Sequence, residues 1–265
     1  MSQERDYVLG THDEEIARLG LQHRVWRPRA LQAWMDAGFT AGQTIVDVGC
    51  GPGYASLDLA EIVGATGRVV AIDRSRRFLD VLESKGLANI RTVEADLDRD
   101  ELPEVAADGV WIRWVLAFVR DPKALLNRAI RLLRPGGTIV IHEYFDYSTW
   151  RLAPRSERFE NFVATVMASW REEGGEPDIG LDVPHWLGEQ GLEIRRMKPI
   201  VDVVRPESFV WQWPATFVKV GLARLVDLGR MSSQVADETM QEFSERATLL
   251  ITPAVLEIIA RTAEY

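Results

Sequence analysis

The chain has 265 residues, 46% hydrophobic and 27% charged, ordinary globular proportions that exclude a disordered or collagen-like protein. Lys and Arg total 31 against 40 Asp and Glu, so the net charge of −9 repels polyanions and disfavours nucleic acid and anionic membranes as partners. A single cysteine, Cys50, excludes an internal disulfide and a cysteine-rich zinc site, in keeping with a reducing cytoplasm. The opening from Met1 to Asp6 lacks the basic-then-apolar order of a secretory signal, and the longest clean apolar run, Trp114 to Val119, is far below the roughly 18 residues of a membrane span. A cytoplasmic protein with no membrane partner is expected.

From Asp6 to Ala37, Ile16, Leu19, Leu21, Val25, Leu31 and Trp34 recur at helical spacing with Pro28 as a break, which predicts two short helices. Gly38 and Gly42 mark a loop. Val- and Ile-rich runs at Thr44 to Val48, Arg68 to Ile72, Ile90 to Val93, Val110 to Arg113 and Thr138 to His142 predict strands. Helical stretches lie between them at Tyr54 to Val63, Arg76 to Lys85 and Pro122 to Leu133. This alternation predicts an α/β, doubly wound parallel sheet with helices on both faces. After His142 the pattern changes: Phe159, Phe162, Val163, Val166 and Trp170 mark a helix outside the repeating units. A strand-like stretch, Leu192 to Val204, and a last apolar run, Val255 to Ala260, flank a helical block from Pro206 to Glu245. The block reads as an insertion between two late strands, with Gly229 dividing its helices.

The most informative stretch is Val46 to Gly53, a strand end running into a glycine-rich turn and a helix. Glycine there lets backbone approach a ligand closely and permits positive φ. Gly49, Gly51 and Gly53 follow Gly-x-Gly-x-Gly, not the Gly-x-Gly-x-x-Gly of the dinucleotide fingerprint, and Pro52 removes an N–H that a pyrophosphate would use. A phosphate-free nucleoside is the better guest; a turn that binds nothing is the alternative. Asp73 ends the second strand 20 residues after Gly53, where a carboxylate can accept from two ribose hydroxyls. Asp96, just past the third strand, lies at the same sheet edge, where it could accept the amino proton of adenine.

With these residues in place, the chain resembles the class I S-adenosylmethionine-dependent methyltransferases, in particular the small-molecule group that includes ubiquinone and menaquinone methyltransferases. The resemblance covers about residues 40 to 145. It rests on Val46 to Gly53, Asp73, Glu94 to Leu97, Asp108 to Leu116 and Leu132 to Gly137. It implies a Rossmann-like seven-stranded sheet, mostly parallel with an antiparallel last strand, plus helical lid insertions. One domain would span 1–265, with a helical segment at 1–40, a cofactor-binding core at 41–145 and helical cover at 146–190 and 205–247. The resemblance further implies S-adenosyl-L-methionine as cofactor and S-adenosyl-L-homocysteine as product. Around it would lie Tyr7, Asp47, Gly49, Cys50, Gly51, Asp73, Arg74, Asp96, Leu97, Arg113 and Trp114. Arg113 would offer its backbone near the methionyl amine, and Asp47 would support the amine or the loop. The leading segment, with Tyr7, Arg18, Leu19, Gln22 and His23, looks like one that folds over the cofactor in some relatives.

Many relatives carry His after the Val-Leu pair of the fourth strand, whereas this chain has Ala117 and Phe118. The implied reaction is in-line methyl transfer to a small, partly apolar acceptor, needing alignment and desolvation but no covalent enzyme intermediate. If the acceptor is a hydroxyl or an acidic carbon, Glu143 and His142 are the candidate general bases. Tyr144, Trp211, Trp213 and Phe217, with Phe209, would line an apolar acceptor pocket, although plain packing also explains them. His12, His23 and His185 read as surface or packing residues, and no histidine spacing suggests a metal. Two rivals are a nicotinamide-dependent oxidoreductase, which predicts a glycine pattern the chain lacks, and a non-catalytic scaffold that keeps the cofactor site. Oligomeric state is not legible from the sequence.

Overall fold

The computed structural model describes residues 13–264. A central sheet is built from β1 (Thr44–Val48), β2 (Arg68–Asp73), β3 (Ile90–Glu94), β4 (Ala107–Arg113), β5 (Leu133–Asp146), β7 (Glu193–Ile200) and β10 (Ala254–Arg261) in the order β3-β2-β1-β4-β5-β10-β7. β1 to β5 pair in parallel, while β10 runs antiparallel to both β5 and β7. The predicted seven-stranded, doubly wound sheet with its antiparallel last strand is therefore what the chain forms.

Helices cover both faces. α1 (Asp13–Asp36) and α2 (Tyr54–Val63) bury Trp34, Leu59 and Val63 against Ile45, Trp111 and Val140. α3 (Arg76–Glu83) adds Leu79 and Leu82 over Ala71. On the opposite face, α4 (Pro122–Arg131) and α6 (Val183–Glu189) pack Leu125, Leu126 and Leu187 on Val46, Ile112 and Ile139. The burial of apolar side chains above and below the inner strands β1, β2 and β4 is what their near-continuous Val and Ile runs encode.

Three local expectations change. Asp13 to Asp36 is one helix rather than two, with Pro28 inside it. Proline removes one backbone hydrogen bond, and the buried flanking residues Val25, Trp26, Ala30, Ala33 and Trp34 hold the helix together across it. The stretch Leu192 to Val204 divides between the main sheet and β8 (Val203–Val204), which joins a small antiparallel sheet with β6 (Arg151–Ala153) and β9 (Leu249–Ile251) in the order β6-β9-β8. Such short strands have no periodicity of their own, so they were not predicted. The helical cover consists of α5 (Glu157–Glu172), α7 (Gln212–Asp227) and α8 (Ser233–Gln241), with Gly229 at φ 66° between the last two. Among the described residues no helix is long and apolar enough to cross a membrane.

Candidate cofactor site

The carboxyl ends of β1 to β4 and the inner face of α1 enclose a cavity of about 150 Å³. Its floor is the turn after β1, pinned as Gly49 and Cys50 donate their N–H groups to the Ile72 carbonyl at 2.8 and 2.9 Å. A Cβ on Gly49 would stand 2.4 Å from Val115 Cγ2, whereas one on Gly51 would meet nothing within 4 Å, and both backbones have positive φ. Gly49 thus serves close packing between strands, and Gly51 leaves a bare peptide facing open space.

Asp73 closes the far side of this turn, accepting from Gly51 N at 2.8 Å and Ser75 N at 2.9 Å. Burial raises its pKa, and the two backbone N–H groups oppose that rise. Each oxygen still has a lone pair to offer. Asp47 is buried at the other end, with Ser56 Oγ donating to it at 2.6 Å, and burial pushes its pKa up to about 6. Asp96 and Leu97 bring the end of β3 to the cavity, with Asp96 Oδ1 accepting from Asp98 N. Cys50 lines the cavity too, but burial holds its thiol well above the usual range, so no thiolate is presented.

Asp47, Gly49, Cys50, Gly51, Asp73, Arg74, Asp96, Leu97, Arg113 and Trp114 all line this one cavity. Tyr7 lies outside the described residues. Leu19, Gln22 and His23 of α1, Tyr54 of α2, and Phe118 and Val119 after β4 complete the wall. His23, read from sequence both as a surface or packing residue and as part of the segment that resembles a cofactor cover, is a wall residue. Its Nε2 lies 3.0 Å from Asp58 Oδ2, its Nδ1 lies 3.2 Å from Arg113 Nη2, and its ring stacks on Tyr54.

The candidate bases Glu143 and His142 are not in the cavity wall. Glu143 is fully buried, and its Oε1 accepts the N–H groups of Val115 and Leu116 at 2.6 and 2.7 Å. Desolvation pushes its pKa up to about 8, outweighing those hydrogen bonds, and Oε2 has no partner. Glu143 therefore clamps the turn after β4, where Trp114 adopts φ 52°. His142 is equally buried, edge-on to Trp26 and Trp111 and 3.1 Å from Glu257. Alternation along β5 places the two on opposite faces, and because β5 runs on to Asp146 both lie inside the strand and are buried.

The predicted acceptor-pocket aromatics are likewise packed. Trp213 stacks on Trp114 at 5.6 Å and on Tyr144 at 6.5 Å, with Trp26 edge-on at 4.9 Å. Trp211 packs on Phe243, and Phe217 lies between Trp150 and Trp170. None of Tyr144, Trp211, Trp213 or Phe217 lines the cavity, and Phe209 is 48% exposed. Helical spacing alone cannot separate a cover helix that fills a space from one that walls it. Among the described residues no group of three or more His, Cys, Asp or Glu side chains could hold a metal ion.

The strand order, with the glycine turn after β1 at its centre, defines a Rossmann-like fold of the methyltransferase type. Residues 46–141 match the family model of a methyltransferase domain. The chain is similar to a demethylmenaquinone methyltransferase of Staphylococcus aureus, 35% identical over 124 residues, 46% of this chain and 50% of that one. It thus spans about half the length of the curated relatives it matches. Solved structures share the fold, among them the following two. One is an S-adenosylmethionine-dependent methyltransferase from Mesorhizobium loti, with TM-score 0.52, 19% identity, and 91% of this chain and 99% of that one covered. The other is coclaurine N-methyltransferase bound to N-methylheliamine and S-adenosylhomocysteine, with TM-score 0.57, 13% identity, and 89% and 70% covered.

Proposed function

We propose that the protein transfers a methyl group from S-adenosylmethionine to a small, partly apolar acceptor. The observation that carries this reading is the convergence of four consecutive strand ends, through Gly51, Asp73, Asp96 and Arg113, on one cavity. Open α/β sheets bind ligands at that edge. The residues fit the cofactor: Asp73 keeps acceptor capacity for ribose hydroxyls, Asp96 stands where adenine would lie, and the bare Gly51 peptide leaves room beside them. When bound, the cofactor supplies a methyl group activated on a positively charged sulfur.

The chain's own contribution is alignment and exclusion of water. Glu143 holds the turn that carries Val115 and Leu116, and Trp213 backs Trp114 so that its ring stays in the wall. Leu19, Trp114, Phe118 and Val119 give the wall apolar surface suited to a partly apolar acceptor. A demethylmenaquinone methyltransferase among the relatives makes hydroquinones and phenols a sensible first acceptor class. We place the protein in the cytoplasm, in keeping with its single cysteine, and its net charge of −9 argues against nucleic acid and anionic membranes as partners.

The test is transfer of isotope-labelled methyl from S-adenosylmethionine to a panel of hydroquinones, phenols and amines, with S-adenosylhomocysteine release followed in parallel. Labelled product from one class, matched by S-adenosylhomocysteine, is expected. Cofactor binding with no transfer to any member would support a scaffold that keeps the site without catalysis.

A further inference from the structure

Arg113 differs from most other part-buried arginines, Arg128, which is held by the Leu97 carbonyl, being the other without a carboxylate. Arg29 pairs with Asp202, Arg196 with Asp36 and Glu257, and Arg224 with Glu173. Among the described residues the Arg113 side chain has one hydrogen-bonding side-chain partner, the neutral His23, and its Nη1 is sealed from water with no partner at all. Asp47 and Asp58 act on it only through space. An enclosed guanidinium without a carboxylate is costly unless a ligand supplies the negative charge.

The guanidinium is also held in place. It lies over the rings of Trp111 and Trp114, at 5.6 and 5.2 Å. Arginine can only donate, so His23 Nδ1 must accept and the His23 proton must sit on Nε2, donated to Asp58 Oδ2. Asp58 is fixed in turn by Arg27 Nε at 2.9 Å. The chain Asp58–His23–Arg113 therefore sets one tautomer and one guanidinium orientation. On the adjoining strand, Asp47 stands in register with Trp111, so its side chain and that of Arg113 share a face of the sheet. Asp47 and Arg113 line the same cavity without hydrogen-bonding to each other.

From this arrangement we infer that the Arg113 side chain is the receptor for the carboxylate of the cofactor's amino-acid tail. His23 and Asp58 are its positioning residues, beside Asp47, which the resemblance already sets near the amine. Opposite charges set side by side and left unpaired match a carbon bearing both an ammonium and a carboxylate. The inference rests on the cavity being an S-adenosylmethionine site and adds a selection rule to it: the site distinguishes ligands by the tail carboxylate.

The test is calorimetric titration of the full chain with three ligands: S-adenosylhomocysteine, its decarboxylated analogue, and 5′-methylthioadenosine, which lacks the whole tail. The wild type should prefer S-adenosylhomocysteine to the decarboxylated analogue. Arg113→Gln should weaken S-adenosylhomocysteine by about 10- to 100-fold, the range for loss of a charge-assisted hydrogen bond, and leave methylthioadenosine within about twofold. His23→Ala should erode the same preference, and His23→Asn, whose Oδ1 can stand in for Nδ1, should restore part of it. An equal loss for all three ligands in Arg113→Gln, or an unchanged preference in Arg113→Gln and in His23→Ala, overturns the inference while leaving the cofactor reading intact. Failure of all three ligands to bind the folded wild type overturns both.

Discussion

Adding one methyl group at Gly51 separates the needs of the fold from those of the ligand. Gly51 sits at φ 54°, and a Cβ there would find no atom within 4 Å. The cost to folding of Gly51→Ala is therefore the left-handed backbone alone, about 1–2 kcal/mol, which for a chain of this size lowers Tm by roughly 2–8 °C. At Gly49 the same backbone cost is joined by a 2.4 Å approach to Val115 Cγ2. Overpacking of that kind adds about 1–3 kcal/mol, so Gly49→Ala should be destabilised by roughly 2–5 kcal/mol. Ligand binding should follow the opposite logic. In Gly51→Ala the new methyl occupies the space a nucleoside needs, and affinity for S-adenosylhomocysteine should fall at least about tenfold, or about 1.4 kcal/mol, in a protein that still unfolds cooperatively. Thermal unfolding read by circular dichroism, paired with calorimetric titration, gives both quantities. A folded Gly51→Ala protein with wild-type affinity would refute the reasoning, because the open space beside Gly51 would then not be where the ligand lies.

Other consequences concern charge. Asp73→Ala should weaken S-adenosylhomocysteine binding by about 1.5–3 kcal/mol, the range for hydrogen bonds to a charged group, and unchanged affinity in titration would remove the ribose role. Glu143, raised to about 8, retains its proton in the folded state where the unfolded chain has released it. Its contribution to stability is thus present below about pH 4.5 and lost as pH rises toward 8; urea unfolding across that window should show the loss in wild type and a flatter profile in Glu143→Gln. His23 has the opposite sign, since burial lowers its pKa. The neutral form's contribution is present above about pH 6.5 and lost as pH falls through the folded value. An NMR titration of its ring should show protonation only below the usual histidine range, and titration at 6.5 or above would contradict the lowering by burial.

How much was legible in the sequence depended on how local the determinant is. Each strand of the parallel sheet carries its own Val and Ile run, and the turn after β1 carries its glycines, so the strands and the sheet edge that holds the site could be read residue by residue. Asp73 and Asp96 follow from strand ends in the same way. His23 could not be read so, because its meaning depends on Asp58 and on Arg113, 35 and 90 residues further along. Glu143 was misjudged for a related reason. By sequence it is a candidate general base, whereas the N–H groups of Val115 and Leu116, 28 and 27 residues away, occupy one of its oxygens in the interior. The tryptophans of the cover could be counted but not oriented. Helical spacing places Trp213 on a buried face, and only the packed structure shows that Trp114 and Tyr144 fill the space before it.

The most direct measurement of the central claim is a calorimetric titration of the purified full chain with S-adenosylhomocysteine, with NAD as the control ligand. Saturable one-site binding of S-adenosylhomocysteine, with no heat from NAD, is the predicted result. Binding of NAD instead, or no binding of S-adenosylhomocysteine to a sample shown to be folded, would contradict the assignment of the cavity between β1, β4 and α1 as a methyl-donor site.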